Sequence, residues 1–109
     1  MKPLYPLLFT LLCAPLPAMA KAAPDAERQA ELTHLLRHDC GSCHGMRLKG
    51  GLGPSLNPEA LAGKSPQMLT ATILTGRAGT PMPPWRGILT EEEAQWLVER
   101  LREGVTDAE

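Results

Sequence analysis

Residues 40 to 45 read Cys-Gly-Ser-Cys-His-Gly, so two thiols and an imidazole fall within six positions. The chain has one other cysteine, Cys13. Three chemistries use this spacing: half of a zinc site, a thiol-disulfide redox pair, and the covalent anchor of a haem. Each makes a different demand on the rest of the chain.

A structural zinc site needs four protein ligands and normally takes a second Cys/His pair from elsewhere. Beyond the motif the chain offers His34 and His38, one helical turn apart and just ahead of it. Such a cluster is cramped, and the ordinary place for these two histidines is a solvated helix face. A redox pair suits an exported chain. It also expects alternating strands and helices around the two cysteines, which the sequence lacks. A haem anchor accounts for the histidine as well. The two thiols add to the vinyl groups, and the next residue, His44, is placed to reach the iron.

A histidine on one side of a haem iron leaves the other side to be filled, and the filler decides between electron transfer and ligand chemistry. Met46 lies two residues past His44, too close to cross the ring plane. Met68 falls in a helical pattern and reads as packing, and His34 and His38 belong to the helix that leads into the anchor. Met82 remains, between Pro81 and the pair Pro83 and Pro84, which deny it helix or sheet and stiffen the loop around it. A polarizable thioether favours ferrous iron and raises the potential.

Four helix patterns must position these residues. The first takes Asp25 as N-cap, runs to about Asp39 with Leu32, Leu35 and Leu36 on one face, and ends at the cysteine motif. A short second helix has Asn57 as cap, Pro58 at its first position and Gly63 as terminator; a third repeats that grammar with Ser65, Pro66 and Gly76. The last opens on a Thr90 and Glu93 capping box, sets Glu91, Glu92 and Glu93 at the positive end of its dipole, buries Ala94, Leu97, Val98 and Leu101, and stops at Gly104. No stretch after Ala20 alternates with the period of a strand. The Gly/Pro-rich loops "GMRLKGGLGPSL" and "RAGTPMPPWRG" hold the unusual chemistry. No basic stripe for nucleic acid is present.

The N-terminus reads as a secretory signal: Lys2, an apolar run, and Ala18, Met19 and Ala20 as a cleavage site. The run is short of the ~20 residues of a membrane-spanning helix and carries Pro15 and Pro17. Leu12 stands where a lipid-attachment site would have a small residue, which argues against lipidation of Cys13. The expected division is a signal peptide at 1–20 and one domain at 21–109. Losing 20 of 109 residues leaves 89 and moves the formal charge from −1 to −2, since Lys2 is the only charge removed. Tyr5 and Phe9 leave too, so Trp85 and Trp96 are the only aromatics of the mature chain. A domain this small has little core of its own, and a bulky apolar cofactor would supply the rest.

On these features the sequence resembles the class I, monohaem c-type cytochromes over essentially the whole mature chain. The residues that carry the likeness are "CGSCHG", "GPSL" some ten residues later, "ILTGRAGTPMPPW" and the capped last helix. The resemblance implies an all-α cytochrome c fold, three to four short helices and Gly/Pro-rich loops around one haem c bound through Cys40 and Cys43, with His44 and Met82 on the iron. It further implies that Pro54 presents its carbonyl to the far nitrogen of His44, and that Trp85 packs near the haem. Within the family, "CGSCHGMRLKGGLGPSL" and "TPMPPW" are most similar to the NirC type, small cytochromes found with the haem c and haem d nitrite reductases of denitrifying bacteria.

That likeness implies a periplasmic, monomeric one-electron carrier in nitrite respiration, not an enzyme, taking electrons from an upstream donor and passing them to nitrite reductase. The alternatives are a maturation factor for the haem d of that reductase and a ligand-binding or peroxidase-like haem protein. Two features depart from the family. Leu32 and Leu36 stand where it usually has a small residue and an aromatic, and Arg100 stands where its last helix usually has an aromatic, with Trp96 nearby. The crossing of the terminal helices is therefore expected to differ. Arg47, Lys49, Arg77 and Arg86 fall in the loops expected at the haem edge, where they could steer an acidic partner.

Overall fold

The computed structural model describes residues 1–3, 13–18 and 22–105. The expected cleavage after Ala20 lies outside the described residues. Among those residues the chain is helical without strands.

Helix α1 (Ala26–Leu35) starts where expected, with the Asp25 side chain accepting from the Arg28 N–H. It does not stop before the cysteine motif. The helical run continues as a π-helical turn (Leu36–Cys40) and one further turn, α2 (Gly41–His44). Nothing in the motif breaks a helix: the Gly41 N–H bonds back to the Leu36 carbonyl, and the Ser42 hydroxyl donates to the Asp39 carbonyl. The terminator is Gly45, with φ +92°. The π turn adds a residue to the circuit, a widening found often at functional sites. It still leaves Leu32, Leu36 and Cys40 as successive steps of one inward stripe.

The other helices follow their caps. Helix α3 (Pro58–Leu61) begins under Asn57, whose side chain accepts from the Ala60 N–H, and α4 (Pro66–Thr75) begins under Ser65, which accepts from the Met68 N–H. Helix α5 (Glu91–Glu103) has both bonds of the Thr90 and Glu93 capping box, and its apolar stripe is buried as expected.

The core is almost wholly aliphatic. Leu32 and Leu36 from the first helical run meet Leu61, Leu74, Leu89, Ala94, Leu97 and Leu101 in one cluster, with Trp85 and Trp96 half-buried against it. Where the family usually sets a small residue on the first helix, this chain buries Leu32 completely, and the small residue in the cluster, Ala94, lies on α5. Arg100 lays its guanidinium over Trp96, 5.6 Å from the ring centre.

An ion pair ties the two ends of the fold. Arg28 Nε donates to Glu93 at 2.6 Å, from α1 to the first turn of α5. Glu93 also closes the capping box, so one carboxylate fixes the start of α5 and its seat against α1. Arg28 and the Thr90 backbone N–H hold that carboxyl below its ordinary range.

Candidate functional site

The helices enclose a cleft of about 920 Å³, lined by Cys40, Cys43, His44, Pro54, Met82 and Trp85 among aliphatic side chains that include Leu36, Leu56, Leu69, Ile73 and Leu97. Its size is at the upper end of small-molecule and cofactor sites. All six candidate site residues thus border one space, although Met82 is 38 positions from His44 in the sequence.

His44 is held by the loop that follows it. Its Nδ1 lies 2.7 Å from the Pro54 carbonyl oxygen. A carbonyl only accepts, so this contact keeps the proton on Nδ1 and leaves the Nε2 lone pair available to a metal. The loop is folded back by Gly53 N–H donating to the Cys43 carbonyl and Gly50 N–H donating to the His44 carbonyl. Gly53 then lies flat on the imidazole: a Cβ there would come within 2.8 Å of Cε1 and 2.9 Å of Nδ1.

Met82 is placed by the end of α4. The Arg77 N–H bonds the Met82 carbonyl, and the Trp85 and Arg86 N–H groups bond the carbonyls of Ile73 and Leu74. Gly76 makes the turn possible. It adopts φ +68°, and a side chain there would strike the Met82 oxygen and Pro83 carbon at 2.7 Å. Trp85 is therefore fixed to α4 by its own backbone as well as by packing.

The thiols of Cys40 and Cys43 are free, the first half-buried and the second exposed. Burial, aided by the nearby Asp39 charge, pushes the Cys40 thiol up to about 11. At neutral pH it is protonated, which runs against the activated thiolate of a redox pair. Nor does a zinc cluster form at the cysteine motif: among the described residues no three His, Cys, Asp or Glu side chains converge as metal ligands, and His34 and His38 lie exposed, their rings in tilted contact. The donor set that borders the cleft is two thiols, an imidazole and a thioether in an aliphatic cradle, a composition that fits a haem.

Comparison with known proteins decides the family. The family described as "Cytochrome C oxidase, cbb3-type, subunit III" matches residues 17–99. The chain is 62% identical over 98 residues to cytochrome c55X of Pseudomonas aeruginosa, covering 90% of this chain and 82% of that one. It belongs to the monohaem c-type cytochromes related to NirC.

Other relatives agree with that placement. Cytochrome c55X of Stutzerimonas stutzeri is 58% identical to this cytochrome over 88 residues, 81% of this chain and 78% of that one. The solved structure of c-type cytochrome NirC superposes with a TM-score of 0.72 at 65% identity, over 73% of this chain and 94% of that chain. The structure of dihydro-haem d1 dehydrogenase NirN superposes with a TM-score of 0.62 at 37% identity, over 67% of this cytochrome but 16% of that larger chain. The all-α cytochrome c fold is thus established, and haem c is the cofactor of the family.

Three features of the site have no signal in the motif alone. The π turn, the seat of Gly53 on the His44 ring and the bracing of Met82 by Gly76 depend on tertiary placement. The glycines could have been singled out, since "GGLGP" and "TGRAG" flank the candidate ligands, but the sequence does not say which glycine touches what. Of the four rim cations, Arg77 borders the cleft, while Arg47, Lys49 and Arg86 are exposed on the loops beside it; Lys64, not expected there, borders it too.

Proposed function

We propose that the protein is a small exported electron carrier that would hold one haem c through thioether bonds from Cys40 and Cys43, with His44 and Met82 supplying the ligands to its iron. The carrying observation is the 2.7 Å contact of His44 Nδ1 with Pro54 O inside a cleft that Met82 also borders. The haem supplies one-electron cycling between ferric and ferrous iron. The chain's residues do the rest. Pro54 and Gly53 fix the tautomer and tilt of His44, the loop braced on α4 presents the Met82 sulfur, and the aliphatic lining with Trp85 excludes water. An environment of low polarity and a thioether ligand both favour the reduced state. With both His44 and Met82 given to the iron, the site would suit outer-sphere electron transfer, a carrier's role rather than an enzyme's.

The relatives support a physiological setting. Likeness to NirC and cytochrome c55X supports a periplasmic role in nitrite respiration, with nitrite reductase as acceptor and a separate upstream donor, and with residues 1–20 as the export signal. Among the described residues no helix is long and apolar enough to cross a membrane. Stopped-flow mixing of the reduced cytochrome with oxidised nitrite reductase tests the reading: reoxidation on the time scale of reductase turnover supports it, and reoxidation far slower than turnover rejects it.

A second reading rests on the segment shared with dihydro-haem d1 dehydrogenase, 40% identical over 67 residues and 14% of that protein. In it the chain serves the maturation of the reductase's haem d. Electron exchange with the dehydrogenase but not the reductase would favour this reading.

A further inference from the structure

We propose that His34 and His38 form a surface site for a divalent transition-metal ion of the zinc and copper class, separate from the haem cleft. The two residues stand four apart, His34 in the last turn of α1 and His38 in the π turn that follows. Both are exposed, and neither borders the cleft. Their ring centres lie 4.2 Å apart with the planes tilted by 37°. Two imidazoles on adjacent positions of one metal, each at ≈ 2.0–2.1 Å through nitrogen, have ring centres roughly 4.5 Å apart at a right angle and roughly 5 Å apart at the tetrahedral angle of zinc. The observed spacing is close to that of a chelating pair, so the two side chains already stand on one face of the helical run, near enough to share an ion.

The chemistry is suited as well. Neutral imidazole is a preferred ligand of zinc, copper and nickel, and exposure leaves the ion its water ligands on the remaining positions. No hydrogen bond engages either ring among the described residues, so the nitrogens are not committed elsewhere. Two protein ligands leave the remaining positions to water, so the site is an open one. It spans the junction where the helix changes from α to π geometry, and a bound ion would brace the turn that carries Cys40.

The test uses the full haem-loaded protein and zinc ion as the probe, followed by calorimetry, with copper(II) electron paramagnetic resonance to read nitrogen ligation. The proposal expects one saturable zinc per chain, with His34→Ala and His38→Ala each weakening it about tenfold or more, at least the loss that follows removal of a supporting partner of a metal ligand. It also expects zinc to raise the melting temperature of the wild type more than that of either variant. The absorption spectrum of the haem should not move, which separates this test from the axial-ligand assignment. Absence of saturable binding, or binding in either variant as tight as in the wild type, would overturn the site.

Discussion

Gly53 lies against the ring of His44 so closely that an added methyl group would sit 2.8 Å from the imidazole Cε1. The ring cannot yield freely, because its Nδ1 is bonded to the Pro54 carbonyl at 2.7 Å. Gly53→Ala is therefore expected to push the imidazole off its bond or the loop off the helix, at about 1–3 kcal/mol, the range for overpacking a well-filled site. Denaturant unfolding of the haem-loaded variant measures the loss. A stability equal to wild type would mean that the contact is softer than the geometry indicates.

Gly76 does for Met82 what Gly53 does for His44. Its φ of +68° disfavours any side chain, and the space is already filled by the Met82 and Pro83 backbone at 2.7 Å. Gly76→Ala should displace the loop and weaken the near-red ferric band that marks methionine ligation, while the haem stays bound. An unchanged band alongside an unchanged melting temperature would contradict the bracing role.

Arg28 and Glu93 couple the two terminal helices, and the coupling is sensitive to acid. Arg28 holds the folded-state pKa of Glu93 below the unfolded value of about 4.3. The resulting stabilisation is complete above that unfolded value and is lost as pH falls through the lower folded one. The stability gap between wild type and Arg28→Ala should therefore be full at neutral pH and shrink in strong acid. Urea unfolding of both proteins across that range checks it, and a gap that does not change with pH would assign the effect of Arg28 to packing alone.

The exposed cations Arg47, Lys49, Arg77 and Arg86 make a further prediction for the proposed carrier. If they steer an acidic partner, the second-order rate of electron transfer falls steeply as salt shortens the screening length, and Arg77→Ala lowers the rate at low salt more than at high salt. A flat salt response would remove the rim from the docking account.

What the sequence made legible is the local part of this design. Asn57, Ser65 and Thr90 cap the helices they were expected to cap, because a cap is a bond between residues two or three apart. The buried stripe of α5 follows from the same short-range logic. The extension of the first helical run through the cysteines was not legible, since it depends on what fails to break a helix until Gly45. The partnership of Arg28 and Glu93 spans 65 positions and leaves no periodic trace. The Pro54 contact came by resemblance and stands in the geometry, whereas the roles of Gly53 and Gly76 come from the fold alone.

The most direct test of the central claim is the ferric absorption spectrum of the exported protein and of Met82→Ala, each read before and after extraction under denaturing conditions. The account predicts haem that resists extraction in both, a near-red band in the wild type, and loss of that band with gain of carbon monoxide binding by the reduced protein in Met82→Ala. Haem that leaves the wild-type chain on extraction would contradict attachment through Cys40 and Cys43, and a near-red band that survives in Met82→Ala would contradict Met82 as the ligand.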